Sequence, residues 1–247
     1  MLTRAQLRGG HKGLPLHILE LDYIESIVLK GMFRGGSPLA FKGGTCLRKA
    51  HGLDRFSEDL DFSIVDGAKD HRSELEKGRG QLERSGIGAK ITEWNERKDI
   101  YLARLTYEGP LYTGEPATRG NMEVEIHMEP PMEPTEWRSV ATEYADAGVY
   151  TIQCMSVGEI LAEKFRTLAQ RRKPRDLYDV WFLSMRGTRA DLGMVNRKIA
   201  PARTENLVKI VEEYTVTETE WERDLAPLLE NPPMLDMVRS ELKRLLA

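Results

Sequence analysis

The sequence predicts a mixed α/β fold of the α+β kind, with an α/β front over residues 1–150 and an α-helical back over residues 151–247. Three observations support this prediction. Apolar residues recur at three- and four-residue steps between residues 16 and 33, which is the period of an amphipathic helix. Residues 59–64 and 121–128 alternate apolar and polar side chains, as strands with one buried face do. The last third of the chain is helical in pattern.

The composition limits the classes of protein to which the chain can belong. The chain has 247 residues and a net charge of −3, so any nucleic-acid binding must come from a local basic patch. Its two cysteines, Cys46 and Cys154, are too few for a disulfide framework or a structural zinc site, and we expect reduced, buried thiols. No stretch has the apolar length of a membrane span and the N-terminus lacks a signal-peptide core, so we expect a cytoplasmic protein without a membrane partner.

The front begins with the helix over 16–33, followed by a short apolar run and a glycine pair. Helical composition then resumes as far as Gly52. Residues 69–88 are charged and predict a further helix, and residues 91–109 predict one or two strands. Prolines between residues 130 and 134 indicate a loose boundary before the helical back.

The glycine pair and a threonine, Gly43-Gly44-Thr45, precede the strand that carries Asp59 and Asp61. Glycines let backbone N–H groups approach a phosphate closely, and the threonine hydroxyl adds a donor. On a strand the two carboxylates point to the same side, with their Cα atoms ~6.5–7 Å apart. They repel each other unless a cation lies between them, and Mg²⁺ prefers oxygen ligands. An ordinary turn and a solvated edge strand are the alternatives, but the combination favours a phosphate cradle followed by a metal dyad.

A third carboxylate on a neighbouring strand would complete a two-metal site. Glu125 alternates in phase with Glu123, opposite the apolar residues of its strand, so it can face the dyad. We therefore expect Mg²⁺ or Mn²⁺ to be held by Asp59, Asp61 and Glu125. Such a site stabilises the leaving pyrophosphate of a nucleoside triphosphate.

In the back, "SVGE" is a capping box that starts a helix carrying Lys164. On a helical wheel Lys164 and Arg171 fall with the apolar side chains Ile160 and Leu168. A lysine on an apolar stripe is costly unless it snorkels or meets an anion. The functional hypothesis is that Lys164 and Arg171 touch triphosphate oxygens in a cleft between the two parts. A snorkelling lysine is the alternative.

Asp176 begins the next helix, where it caps the helix, pairs with Arg175, or belongs to the active site. A basic cluster surrounds it, and this cluster is either a solvated loop or a patch for RNA phosphates: Arg171, Arg172, Lys173 and Arg175.

Two stretches resemble motifs of the AbiEii/AbiGii abortive-infection nucleotidyltransferase toxins, which belong to type IV toxin–antitoxin systems and to the DNA polymerase β-like superfamily. "FKGGTCLRKAHGLDRFSEDLDFSI" (41–64) is similar to the first motif, with these residues in the family's order: Gly43-Gly44-Thr45, Leu47-Arg48, Gly52, Arg55, Ser57 and Asp59-Leu60-Asp61-Phe62. "EILAEKFRTLAQRRKPRDLYDVWFL" (159–183) resembles the later motif, a lysine helix followed by Arg-Asp-x-x-Asp. Relatives often have Lys-x-Glu where this chain has Glu123-Val124-Glu125.

The resemblance implies a polymerase β-like nucleotidyltransferase domain with a mixed sheet, followed by a helical domain. It implies an enzyme that moves a nucleoside monophosphate from an NTP to an acceptor hydroxyl, with tRNA or another RNA as acceptor and an antitoxin as partner. It adds Ser57 to the nucleotide-binding residues and Lys164 and Asp176 to the catalytic ones.

Two other functions stay open on the sequence alone. A non-catalytic nucleotide- or RNA-binding protein would keep the fold, but the intact Asp59 and Asp61 argue against it. A metal-dependent phosphohydrolase would use the same carboxylates, whereas Gly-Gly-Thr and Lys164 suit a retained triphosphate and favour transfer.

Overall fold

The computed structural model describes residues 1–9, 11–65, 71–171, 173–199 and 206–246. The chain forms two compact units, which we call the front unit (Met1–Met155) and the back unit (Ser156–Ala247). The assignment of a nucleotidyltransferase domain to 1–150 and a helical domain to 151–247 stays a prediction.

The front unit contains helices and strands in alternation. Its described helices are α1 (Arg4–Arg8), α2 (Leu16–Met32), α3 (Gly43–His51) and α4 (Arg72–Arg84), with a 3₁₀ turn at Pro116–Thr118. Its described strands are β1 (Leu39–Lys42), β2 (Asp59–Ile64), β3 (Gly88–Arg97), β4 (Ile100–Glu108), β5 (Gly120–His127), β6 (Glu136–Ala141) and β7 (Val149–Cys154).

The seven strands form one mixed sheet in the order β3-β4-β5-β2-β1-β7-β6. The pairs β2–β5 and β1–β7 are parallel, and the other neighbouring pairs are antiparallel. The predicted mixed α/β fold is therefore confirmed. The parallel pair β2–β5 lies in the middle of the sheet, where it brings two alternating sequence stretches side by side.

Alternation determines which side chains of these strands are buried. Leu60 and Phe62 on β2 and Val124 and Ile126 on β5 are buried in the core, so the polar residues between them point to the other face. Strands β6 and β7 were missed by the sequence analysis, which placed a loose boundary after the prolines. β7 pairs with β1, and this contact between distant parts of the chain leaves no local pattern.

Helix α3 is held against α2 by a buried ionic cluster. Asp22 of α2 accepts hydrogen bonds from Arg48 Nε at 2.6 Å and from the hydroxyl of Tyr144 at 2.7 Å. Lys49 Nζ lies 2.7 Å from the same carboxylate. Burial opposes ionisation of Asp22, but these cations hold its pKa well below the usual value. The cluster fixes the C-terminal half of α3 and so the direction in which its N-terminus points.

The back unit is helical, as predicted, and its described helices are α5 (Val157–Gln170), α6 (Pro174–Met185), α7 (Leu192–Ile199), α8 (Leu207–Glu213), α9 (Glu218–Leu225) and α10 (Leu235–Leu246). Ser156 caps α5 by accepting a hydrogen bond from the N–H of Glu159, as the capping-box motif predicts. Pro174 is the first residue of α6, where its missing N–H costs nothing. None of the helices in the described residues has the length and apolar character needed to cross a bilayer.

Candidate active site

The parallel pairing of β2 with β5 sets the acidic residues of the two strands side by side. Asp59 is in register with Glu123, and Asp61 is in register with Glu125. The next position with the same orientation pairs Ser63 with His127. Side chains two residues apart on a strand share a face, so both acidic stretches line one face of the sheet.

Three of these side chains form a cluster. One ligand atom from each of Asp61, Glu125 and His127 lies within 4.8 Å of the other two. His127 Nε2 is 3.5 Å from Glu125 Oε2, and both side chains are partly open to solvent, at 30% and 41% exposure. Two carboxylates and one imidazole are donors that a divalent cation accepts. The proximity of Asp61 and Glu125 agrees with the alternation of the sequence.

Asp59 lies at the exposed start of β2 and is not part of that three-residue cluster. Its neighbour Glu123 faces Arg104 of β4, whose Nε donates to Glu123 Oε1 at 2.6 Å. Arg104 also contacts Glu93 of β3. Glu123, which stands where relatives often have a lysine, thus shares an arginine of the adjacent strand with Glu93.

Gly43 is the residue at which helix α3 meets the acidic cluster. Its φ of +77° is in the left-handed region that side-chain-bearing residues rarely adopt. A Cβ at this position would lie 2.0 Å from Asp61 Oδ2. The carboxylate of Asp61 therefore sits directly beside the N-terminus of α3, where backbone N–H groups and the helix dipole favour an anion.

The other predicted residues of the cradle have neighbours inside the front unit. A Cβ on Gly44 would lie 2.7 Å from both Arg55 Nη2 and Ser57 Oγ, so glycine is required here for close packing. Thr45 is buried and its hydroxyl donates to the backbone carbonyl of Asp59 at 2.6 Å. Arg55 is 1% exposed, and its guanidinium packs against Gly44. In this geometry Thr45 positions the start of β2, and the nucleotide-binding role given to it and to Ser57 stays a prediction.

An open pocket borders the acidic strands. It has a volume of about 450 Å³, and its lining includes Asp59, Glu123, Tyr107 and Asn121. Polar groups from β2 and β5 thus share the pocket with an aromatic ring from β4. A small molecule could reach Asp59 from this side without any rearrangement of the sheet.

The back unit has a separate ionic cluster, formed by α5, α6 and the residue that follows α5. Lys164 Nζ lies 3.2 Å from Asp176 Oδ1 and 2.7 Å from Asp179 Oδ2. Arg171 makes a two-point contact with Asp176, at 2.9 Å from Nε and 3.2 Å from Nη2. We call these four residues the back-unit quartet. Two cations and two anions make it neutral as a set.

Burial determines the electrostatics of the quartet. Asp176 and Asp179 are 0% exposed and Lys164 is 8% exposed. Burial by itself would raise the pKa of Asp176, but the charges of Lys164 and Arg171 outweigh it and lower the pKa to about 2. A buried lysine needs an anionic partner, and Asp176 and Asp179 provide it within the back unit. Contact of Lys164 and Arg171 with triphosphate oxygens stays a prediction, and Arg172 of the basic cluster lies outside the described residues.

Comparison with the profiles of known protein families identifies the family of this chain. The profile of the AbiEii nucleotidyl transferase toxins of type IV toxin–antitoxin systems matches residues 30–242, which is most of the chain. The chain belongs to this family. It is accordingly a nucleotidyltransferase, and the resemblance of its two motifs to AbiEii toxins is confirmed.

Solved structures share the fold of this AbiEii-family chain. MenT4, a nucleotidyltransferase toxin from Mycobacterium tuberculosis H37Rv, is 20% identical with a TM-score of 0.72, and the match covers 100% of this chain and 89% of that one. JHP933 from Helicobacter pylori is 19% identical with a TM-score of 0.59, covering 94% of this chain and 91% of that one. No curated protein sequence matches the chain at a significant level.

Two residues of this AbiEii-family chain stand in clusters that the sequence analysis did not assign to them. His127 was not among the predicted site residues, although period-two spacing puts it on the same face as Glu125. Asp179 is the second aspartate of the Arg-Asp-x-x-Asp motif and follows Asp176 by about one helical turn, so the two share a face of α6. The sequence did not show that Lys164 lies between them, because that contact depends on how α5 packs against α6.

Proposed function

We propose that the front unit transfers a nucleoside monophosphate from an NTP to an acceptor hydroxyl in a reaction that depends on Mg²⁺ or Mn²⁺. The acceptor oxygen forms a bond to the α-phosphorus, the bond from that phosphorus to the bridging oxygen breaks, and pyrophosphate leaves with the electron pair. Asp59, Asp61 and Glu125 are the proposed metal ligands. Gly43 and Gly44 at the start of α3, together with Ser57, are the proposed phosphate-binding residues.

One observation supports this proposal most strongly. Asp61 Oδ2 occupies the space beside Gly43 that any other residue's Cβ would need. A group of carboxylates favours cations, while a helix N-terminus favours anions. A triphosphate with its divalent cation requires both environments next to each other, and here they meet at one residue pair.

The donor set fits the proposed cation. Carboxylate oxygens from two adjacent strands are the ligands that Mg²⁺ and Mn²⁺ prefer, and His127 adds a nitrogen at the edge of the cluster. When bound, such a cation supplies positive charge that stabilises the developing negative charge on the pyrophosphate. Glu125 could also accept the proton of the acceptor hydroxyl, because its side chain is 41% exposed and an acceptor can reach it from solvent.

The family resemblance adds Lys164, Arg171 and Asp176 to the proposal. Lys164 and Arg171 would bind triphosphate oxygens, and Asp176 would orient both cations through the contacts already described. Their side chains are fixed by short ionic contacts rather than free to rotate, which favours a positioned cation over a mobile one. We further propose that the acceptor is tRNA or another RNA, that a cognate antitoxin controls the activity, and that the enzyme acts in the cytoplasm.

The experiment is a transfer assay with each of the four NTPs in turn. The purified chain is incubated with an α-³²P-labelled NTP, total RNA and Mg²⁺, and the products are separated on a denaturing gel. Transfer of the α-labelled nucleotide places the label in an RNA band. In a parallel reaction with γ-³²P-labelled NTP, the label appears in pyrophosphate and not in RNA. Asp61→Asn is the negative control, because it removes a metal ligand with almost no change in shape.

The same gel distinguishes the alternatives. A phosphohydrolase would release labelled mononucleotide, diphosphate or phosphate and leave the RNA unlabelled. A protein that only binds nucleotide or RNA would leave the NTP intact. Either result, obtained with all four NTPs and both Mg²⁺ and Mn²⁺, would contradict the proposal of transfer to RNA.

A further inference from the structure

The two cysteines of the chain, distant in sequence, lie together with a histidine. Cys46 is on α3, His51 is the last residue of α3, and Cys154 is the last residue of β7. Both sulfur atoms and one ring nitrogen of His51 lie within 4.8 Å of one another. Both thiols are 0% exposed and neither is in a disulfide. We call these three residues the thiol–imidazole cluster.

The central sheet brings the cluster together. Cys154 is in register with Phe41 on the parallel strand β1, and the next residue, Met155, donates its N–H to the carbonyl of Phe41 at 2.9 Å. Helix α3 starts directly after β1, so Cys46 in its first turns faces the end of β7. The positions of Cys46 and Cys154 therefore follow from strand pairing and not from a flexible loop.

The cluster contains groups that are poorly satisfied without a further partner. Nε2 of His51 is buried and makes no hydrogen bond. A buried polar atom without a partner costs free energy, so its occurrence calls for an explanation. The two sulfur atoms and the His51 ring nitrogen lie close enough to one another to share a single ion, and a cysteine binds metal as the thiolate.

We propose that Cys46, His51 and Cys154 bind one Zn²⁺ ion through two thiolates and one imidazole, with a water molecule as fourth ligand. Thiolate sulfur and imidazole nitrogen are the ligands that zinc prefers, and three protein ligands plus water is a known coordination. Ligand atoms around tetrahedral zinc are about 3.5–4 Å apart, so side-chain shifts of about 1 Å suffice. Binding releases the remaining thiol protons to solvent and requires no oxidant.

This zinc site is distinct from the acidic cluster in its ligands. The acidic cluster offers mainly carboxylate oxygens, whereas the thiol–imidazole cluster offers none. Zinc here would join helix α3, through Cys46 and His51, to the end of β7 and so help to hold the Gly43–Thr45 segment in place. From the sequence, two cysteines were judged too few for a structural zinc site, but the fold brings His51 beside them as a third protein ligand. The proposal stands whether or not the transfer reaction is correct.

The test measures metal content and spectra of the full chain after removal of any histidine tag. We expect one zinc per chain by mass spectrometry of the metal. His51→Gln and Cys154→Ser should lose it, while the exposed-histidine control His17→Gln and the acidic-cluster variant Asp61→Asn should keep it. Wild-type protein freed of zinc and given Co²⁺ should show sulfur-to-cobalt charge-transfer absorption together with the strong visible bands of tetrahedral cobalt.

The wild-type protein alone can overturn the proposal, so it stays testable if the variants fail to fold. Absence of the sulfur-to-cobalt band at saturating Co²⁺ would contradict it. So would a Cys46–Cys154 disulfide in freshly purified, unreduced protein, detected as two cysteines that resist alkylation until reduction. Zinc that disappears with Asp61→Asn but persists in His51→Gln would assign the metal to the acidic cluster instead.

Discussion

The front and back units both bring two or more acidic side chains together, but they do so in different surroundings. In the back unit Asp176 and Asp179 are fully buried and contact Lys164 directly. In the front unit the side chain of Glu125 is 41% exposed, and it shares its cluster with Asp61. A buried carboxylate keeps its charge only if cations are built in beside it, while a half-exposed one can be reached by a cation from solvent.

This comparison separates the residues needed for stability from those needed for activity. The back-unit quartet should matter first for stability, because breaking it leaves a buried charge without compensation. The front cluster should matter first for activity, because replacing a partly exposed carboxylate costs little in folding. Variants in each unit can therefore be scored on both properties.

The largest effect is expected for Asp61→Asn. We expect the rate of transfer to fall by about a thousandfold or more, which corresponds to about 4 kcal/mol, because a ligand for the stabilising cation is lost. The melting temperature should stay close to that of the wild type. Asp236→Asn, the same change at an exposed position on α10, is the matched control for steady-state kinetics. Near-normal turnover in Asp61→Asn would remove the front cluster from the reaction.

Lys164→Met should lower the free energy of unfolding by about 3–5 kcal/mol, because Asp179 and Asp176 then lose a buried cation. Lys243→Met on the surface is the control, since that side chain is 51% exposed. Urea denaturation followed by circular dichroism measures both variants. An unfolding curve unchanged in Lys164→Met would show that the contrast between the two units is wrong, whatever happens to turnover.

Gly43→Ala and Gly52→Ala separate backbone strain from displacement of Asp61. Both glycines have positive φ, of 77° and 71°, so each alanine should cost about 1–2 kcal/mol of stability. Only at Gly43 does the new Cβ collide with Asp61 Oδ2, since nothing lies within 4 Å of the corresponding position at Gly52. We therefore expect an additional loss of turnover, about tenfold or more, for Gly43→Ala alone. Equal turnover in the two variants would show that the Gly43–Asp61 contact is unimportant.

The last prediction concerns the dependence of stability on acid. The pKa of Asp176 is lowered from 3.8 to about 2 in the folded chain. The unfolded chain therefore takes up this proton first, so the contribution is complete above about pH 5 and is lost as pH falls toward 2. The loss should reach about 2 kcal/mol. Urea midpoints measured at several pH values should show it in the wild type, whereas the same pH dependence in Asp176→Asn would assign it to another group.

Much of the fold could be predicted from local patterns. The helix expected over 16–33 is α2 (Leu16–Met32), and both alternating stretches are strands, β2 and β5. The two-residue period of each strand also placed Asp61 and Glu125 opposite the apolar face, and in the structure the two carboxylates lie close together. These predictions succeeded because a local period reflects burial of one face.

Contacts between distant segments could not be predicted. Strand β7 was missed because its partner β1 lies far back in the chain, and with it the approach of Cys154 to Cys46. The partners of Lys164 were not predicted either, because a helical wheel shows which side of α5 is buried but not which residues of α6 face it. Such contacts depend on the packing of whole elements, for which one sequence carries no periodic pattern.

The measurement that tests the account most directly is a titration of Mn²⁺ into the chain, followed by the paramagnetic resonance of the free ion. Mn²⁺ prefers carboxylate oxygen and binds thiolates poorly, so the thiol–imidazole cluster should not interfere. We expect wild type and Asp236→Asn to bind Mn²⁺ alike, with tighter binding in the presence of an NTP, and Asp61→Asn and Glu125→Gln to bind at least about tenfold more weakly. Unchanged Mn²⁺ affinity in both Asp61→Asn and Glu125→Gln would contradict the claim that the front cluster is the metal site of this nucleotidyltransferase.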